Sequence, residues 1–183
     1  MDTMKIEVLK EAVAGKYTAI RRITRMQPLG EKVFPPTYEG GEYADERRII
    51  RDDKGEICTV DTVLLDSVQS QANRMETALL RAYDAGRIKM PMLWVDFAKA
   101  GDDPILKEVG RITALEASHR MCDAIFRDSM LNKKPFRETE LGSKIDHAKA
   151  ANATGVFELC PTALLFGFWD STGPRGGLGA KLQ

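Results

Sequence analysis

The chain has 183 residues, 43% of them hydrophobic and 30% charged, which allows one domain with a proper core and excludes a disordered segment. Lys+Arg and Asp+Glu both number 27, so the formal net charge is zero; bulk positive charge cannot drive nucleic-acid binding, and any such contact has to rest on a local patch. Cys58, Cys122 and Cys160 are far apart and form no Cys-x-x-Cys pair, and His119 and His147 are the only histidines, so the cysteines read as free thiols in a reducing cytoplasm and neither a metal nor another cofactor is expected. The longest apolar run, residues 162–169, is too short to cross a bilayer, and the opening Met-Asp-Thr-Met-Lys lacks the build of a secretion signal. A cytoplasmic protein without membrane contact follows.

Residues 4–17 carry Ile6, Leu9, Ala12 and Val13 on one side and predict a short amphipathic helix with Gly15 near its end. Residues 18–26, β-branched and basic, predict a strand with Arg21 and Arg25 on one face and Arg22 on the other. Its charge reads equally as protection of a sheet edge or as a row that tracks phosphates. Residues 28–46, with Pro35-Pro36 and Gly40-Gly41, predict a loop in which Tyr38 and Tyr43 could stack on bases. Residues 47–51 and 56–65 flank Asp52-Asp53-Lys54-Gly55 and predict a β-hairpin.

The next stretch, 66–86, is the most informative. Val68, Ala72, Met75, Leu79 and Ala82 recur at helical spacing, Asp66 with Gln69 reads as an N-terminal cap, and Gly86 reads as the stop. The first turns carry Ser67, Gln69, Ser70, Gln71, Asn73 and Arg74. Solvated helix faces more often use Glu and Lys. Short neutral donors at the positive end of a helix suit a phosphate or a sugar, and the plainer reading is a capped core helix with a polar face.

Residues 90–98 predict an apolar interior strand, and Gly101-Asp-Asp-Pro104 breaks the chain. A second helix is predicted over 115–129, with Leu115, Cys122, Ile125, Phe126 and Ser129 buried and His119, Asp123 and Arg127 able to meet on one face. That trio, with Arg120 nearby, could be a catalytic cluster, a phosphate clamp or an ion-pair ladder, and the spacing favours the ladder. Residues 132–137 form a basic turn, 142–151 a short helix containing His147, and 156–169, interrupted by Pro161 and Gly167, two short strands or a strand and a turn. The Gly-rich segment 173–181 lacks both a P-loop ending and a dinucleotide fingerprint. Its bare backbone around Arg175, Gly176, Gly177 and Lys181 could approach phosphates.

Three blocks carry a resemblance: residues 67–74 (Ser-Val-Gln-Ser-Gln-Ala-Asn-Arg), 115–129 (Leu-Glu-Ala-Ser-His-Arg-Met-Cys-Asp-Ala-Ile-Phe-Arg-Asp-Ser) and 160–173 (Cys-Pro-Thr-Ala-Leu-Leu-Phe-Gly-Phe-Trp-Asp-Ser-Thr-Gly). In this order they resemble the RAMP backbone subunit of type I-U (also called I-G) CRISPR effector complexes, most strongly from about Leu64 to Lys181. The resemblance implies an α+β fold: a modified ferredoxin-like (RRM-type) palm occupying 1–183 as one domain, with inserted loops at about 27–46 and 99–111. It implies binding of CRISPR guide RNA, target DNA engaged through guide pairing, copies of itself in a head-to-tail filament, and other effector-complex subunits. The family usually continues beyond the Gly-rich segment, so the chain reads as its N-terminal part, with the palm incomplete at the C-terminus. The expected RNA contacts are Ser67, Gln69, Ser70, Gln71, Asn73, Arg74, Arg21, Arg25, His119, Arg120, Arg127, Arg175, Gly176, Gly177 and Lys181, with no catalytic residue; Arg74 and Arg120 are expected to be replaceable without unfolding. The alternatives are an RNA-processing endoribonuclease using His119, or a scaffold that meets only protein.

Overall fold

A computed structural model describes residues 5–17, 23–99, 101–171 and 173. The chain divides into two units, Met1–Leu65 and Asp66–Gln183, where the sequence reading had one domain.

In the first unit, helix α1 (Ile6–Glu11) runs into a wider turn, Ala12–Lys16, closed by Gly15 at φ 98°. Residues 18–22, with Arg21, lie outside the described residues, and 23–26 form no strand. The loop reading of 28–46 holds for most of its length: an isolated bridge pairs Thr37 with Tyr43 around a tight turn at Glu39–Gly41, and the first strand begins at Asp45. The predicted hairpin is present as antiparallel β1 (Asp45–Arg51) and β2 (Ile57–Val63), in the register Arg51↔Ile57 to Asp45↔Val63. Asp52 builds its turn, because Oδ1 accepts the N–H groups of Lys54 and Glu56 at 2.9 Å each while Gly55 takes φ 83°. No described residue of this unit is buried.

The second unit opens with α2 (Val68–Asp84). Strand β3 (Trp94–Asp96) pairs antiparallel with β4 (Arg111–Thr113). Between them, within the stretch read as an inserted loop, Asp103 caps α3 (Pro104–Val109) by accepting the Ile105 N–H at 2.9 Å. A short α4 (Ala124–Arg127) precedes the ribbon β5 (Met130–Leu131) and β6 (Lys134–Pro135), whose tight turn places Asn132 and Lys133 at φ 54° and 66°. Helices α5 (Glu140–His147), α6 (Thr154–Leu159) and α7 (Pro161–Phe166) complete the described chain. Helices mixed with small antiparallel sheets make this the expected α+β class. The described strands pair as three separate ribbons, without a four-stranded palm sheet.

The core lies in this unit and gathers Ala114, Met121, Cys122, Phe126, Phe136, Ile145, Val156 and Ala163. Cys122 and Cys160 are buried free thiols, as read from the sequence, whereas Cys58 is half-buried. Burial pushes the Cys160 thiol up, so it stays protonated at neutral pH.

Two sequence expectations are corrected here. Residues 115–129 are not one helix. Glu116 turns back to accept the Thr113 N–H and hydroxyl, both at 2.8 Å. Arg120 takes φ 51°, which an α-helix cannot continue through, and Asp123 restarts the chain as the cap of α4. The residues predicted to be inward are still inward: Leu115, Cys122 and Phe126 are buried, and Ile125 and Ser129 half-buried. Residues 156–169 are not strands but α6 and α7, with Pro161 at the first position of α7 and Gly167 ending it at φ 79°.

Gly142 marks a close approach. It sits in α5 over the Phe136 carbonyl, held there because Thr139 caps the helix and donates its hydroxyl to the same carbonyl at 2.6 Å. A Cβ at this position would collide with backbone. Gly142→Ala should therefore lower stability by about 1–3 kcal/mol, read as a reduced urea midpoint, whereas Gly30→Ala, in open space, should stay within about 0.5 kcal/mol of the parent.

Candidate nucleic-acid interface

The start of α2 is capped by Ser67, not by Asp66: Ser67 Oγ accepts the Ser70 N–H at 3.1 Å. Asp66 has a different role. Its carboxylate accepts from the Gln71 side-chain amide and pairs with Arg74, whose Nη1 donates to Ser70 Oγ at 3.2 Å. Four of the expected contact residues, Ser67, Ser70, Gln71 and Arg74, thus belong to one network. Gln69 and Asn73 are exposed, and their side-chain amides have no partner among the described residues. Gly86, at φ 66°, lies just past the end of the helix, as expected of a stop.

The apolar stripe of α2 does not form the buried face that its spacing predicts. Val68 is 82% and Met75 50% exposed, Ala72, Leu79 and Ala82 are half-buried, and the one buried residue of the helix is Glu76. Arg120 grips its carboxylate with two parallel hydrogen bonds, Nε to Oε1 at 2.6 Å and Nη2 to Oε2 at 2.9 Å. The third nitrogen, Nη1, donates to the Gly167 carbonyl at 2.9 Å, and the guanidinium lies 5.7 Å from the centre of the Phe166 ring.

A cleft of about 720 Å³ opens beside this pair, lined by Gln69, Ala72, Asn73, Glu76 and Thr77 of α2, by residues 115–118 and 120, and by Phe166. Around it and the helix start stand three carboxylates, Asp66, Glu76 and Glu116, against two guanidiniums, Arg74 and Arg120. Both guanidiniums are paired. What this surface offers a ligand is therefore chiefly neutral hydrogen-bonding groups.

The remaining expected contacts are scattered. Arg25, in the first unit, is exposed and paired with Asp53 at 3.0 Å. Arg127 holds Asp128 through Nε and Nη2, at 2.6 and 2.7 Å. His119 is exposed, and its backbone N–H donates to Asp123 Oδ2 at 3.1 Å, while Asp123 Oδ1 caps α4. Both Asp123 carboxylate oxygens thus accept backbone N–H groups. His147, on α5, contacts the Ser143 carbonyl through Nδ1 at 2.7 Å and lines a different cleft, which does not include His119. Arg21, Arg175, Gly176, Gly177 and Lys181 lie outside the described residues. At the edge of that last segment, Arg137 pairs with Asp146 and, at 2.8 Å, with the buried Asp170, against which Gly173 packs closely. Burial works against the Arg137 charge, but the hydrogen bond to Asp170 and the charges of Asp170 and Asp146 outweigh it and hold its pKa above the ordinary arginine value.

Sequence reasoning missed Glu76. The available signal was its place four residues after Ala72 and three before Leu79, on the inward side of the helix, where a carboxylate requires a partner. The same pair revises the expectation for Arg120, whose side chain is 13% exposed beside a Glu76 side chain at 3%. Arg120→Ala would strand a buried carboxylate and should lower stability by about 3–5 kcal/mol, measured by urea unfolding. The paired change Glu76→Leu with Arg120→Met should recover much of that loss.

No curated protein and no solved structure matches the chain. Residues 20–183 match the family described as CRISPR-associated protein GSU0053, and the chain, matched over most of its length, belongs to that CRISPR-associated family.

Proposed function

We propose that this protein is a guide-RNA-binding backbone subunit of a type I-U (I-G) CRISPR interference complex. Successive copies lie head to tail along the crRNA and hold it, uncut, for pairing with target DNA alongside the other effector subunits. The observation that carries this reading is the start of α2. In a chain of a CRISPR-associated family, it exposes Gln69, Gln71, Asn73 and Arg74 along two turns that border the cleft.

Neutral amides bond to phosphate oxygens and to ribose 2′-hydroxyls whatever the base, and a subunit that must hold guides of every sequence requires that indifference. Sequence is then read by pairing between guide and target. A net charge of zero is compatible with this chemistry, since a few hydrogen-bonding groups on one face are sufficient. The separation of His119 from His147 supports holding over cutting, because cleavage by general acid and base needs two titrating groups that converge on one phosphate.

The test is co-expression with a repeat-containing transcript, followed by absorbance at 260 nm and sequencing of the bound RNA. Short RNAs of uniform repeat–spacer composition should co-purify, whereas protein free of nucleic acid would overturn the proposal. Gln69→Ala with Asn73→Ala should weaken binding of a mixed-sequence 20-nucleotide RNA several-fold without lowering the melting temperature. The salt dependence should stay unchanged, because neutral contacts release no counterions.

A further inference from the structure

The cleft beside the Glu76–Arg120 pair is walled by three separate stretches of the second unit: α2, residues 115–120 and Phe166 at the end of α7. Its volume of about 720 Å³ falls within the range of small-molecule sites, roughly 300–1,000 Å³. The charged side chains among its described lining residues are Glu76, Glu116 and Arg120. Glu116 Oε2 accepts the Thr113 N–H and hydroxyl, whereas Oε1 has no partner among the described residues. Arg111, close enough to feel this charge, is bound to Asp84 at 2.7 Å. The lining thus carries a net negative charge, which repels phosphate and suits an N–H donor.

Arg120 does not reverse that sign. Its three nitrogens donate to Glu76 and to the Gly167 carbonyl, and releasing Glu76 would strand a carboxylate that is 2% exposed. What Arg120 still offers is a flat, weakly hydrated guanidinium, locked in one plane beside the half-buried Phe166 ring. Guanidinium planes and aromatic rings are the surfaces on which unstacked bases lie. At the rim, Gln69 and Asn73 stand one turn apart on α2 with amides that have no partner among the described residues. Each amide both donates and accepts, and the edge of every base presents at least one donor and one acceptor.

Resting on the RNA-binding reading above, we infer that the cleft accepts an unstacked nucleobase of the bound strand. The sugar–phosphate backbone stays outside at the rim, clear of the negative interior. The base enters flat against Arg120 and Phe166, and its edge donates to Glu116 Oε1 and meets the amides of Gln69 and Asn73. Arg120 is on this account a stacking surface, and its charge serves Glu76.

The experiment uses the full chain and two fluorescent single strands of 20 nucleotides, equal in length and charge. One is mixed-sequence RNA; the other is the same ribose–phosphate chain with its bases absent. The parent should bind the base-bearing strand about tenfold more tightly, the effect of one stacked base, with the same slope of log affinity against log salt for both, because the phosphate contacts are equal. Ala72→Leu with Ser118→Leu narrows the cleft from two walls without adding a ring. It should weaken binding of the base-bearing strand about tenfold and leave the abasic strand unchanged. Melting curves check folding, and either single substitution serves where the pair perturbs it.

Equal affinity of the parent for both strands would overturn the inference. Equal losses on the two strands in a folded narrowed variant would do the same, by placing backbone in the cleft. No loss on either strand would also overturn it, and would leave the cleft to a protein partner. In each of these cases a parent that still binds RNA leaves the proposed function standing. Failure of the parent to bind either strand would sink both.

Discussion

The second unit depends on a carboxylate buried where an apolar side chain would be ordinary. Glu76 is the only buried residue of α2, and Arg120 satisfies it through a planar fork that also reaches the Gly167 carbonyl. Such a pair need not add stability relative to a well-packed hydrophobic substitute, because desolvating two charges costs about as much as their attraction returns. What it adds is direction. An apolar contact tolerates rotation of a helix by tens of degrees, whereas two parallel N–H···O bonds and a third to a fixed carbonyl do not. The backbone records the demand: Arg120 sits at φ 51°, a conformation that disfavours any residue but glycine by about 1–2 kcal/mol. With Glu76 fixed inward, the rotation of α2 is fixed as well. Val68 and Met75 then face outward, and Gln69 and Asn73 lie along the cleft.

A second clamp follows the same logic. Arg137 is shared between Asp146 of α5 and Asp170, which lies just beyond α7, and its charge is maintained because the two acids outweigh the penalty of burial. The stretch after α7 is thereby held at two points, the Gly167 carbonyl by Arg120 and the Asp170 carboxylate by Arg137, with Phe168 packed against the core between them. Gly173 fits against Asp170 where a Cβ would not. The chain is therefore fixed at the point where it enters the Gly-rich segment.

Much of this was legible where one local device fixes one local structure. The hairpin was visible because Asp52 and Gly55 make a turn that needs nothing from elsewhere. Helix α2 was visible as a long amphipathic pattern with a polar start. The pattern over 115–129 misled for a specific reason: periodicity reports which side chains are inward, and Leu115, Cys122 and Phe126 are inward, but a chain of turns and caps can bury the same residues as a helix. Pro161 and Gly167 misled because each has two meanings. Both interrupt a strand, and both also delimit a helix, proline at its first position and glycine beyond its last. The pairs that organise the site span 44 residues, from Glu76 to Arg120, and 33, from Arg137 to Asp170. No local pattern announces partners at such distances, so the polar start of α2 could be read from the sequence and the reason for its orientation could not.

Under the proposed guide-binding role, the arrangement of charge also accounts for the neutrality of the chain. Around the cleft each arginine is matched to an acid, so the groups left for a ligand are mainly amides and hydroxyls, which bind weakly and almost uniformly. For a subunit acting alone that would be a defect. For one repeated along a guide it is an advantage, since contacts that are weak one at a time gain strength once neighbouring copies hold the same strand, each raising the effective concentration of RNA at the next. Strong, unpaired cations would bind any polyanion at the first encounter and leave little for assembly to add. In the proposed filament, pairing them would move selectivity from the single contact to the array.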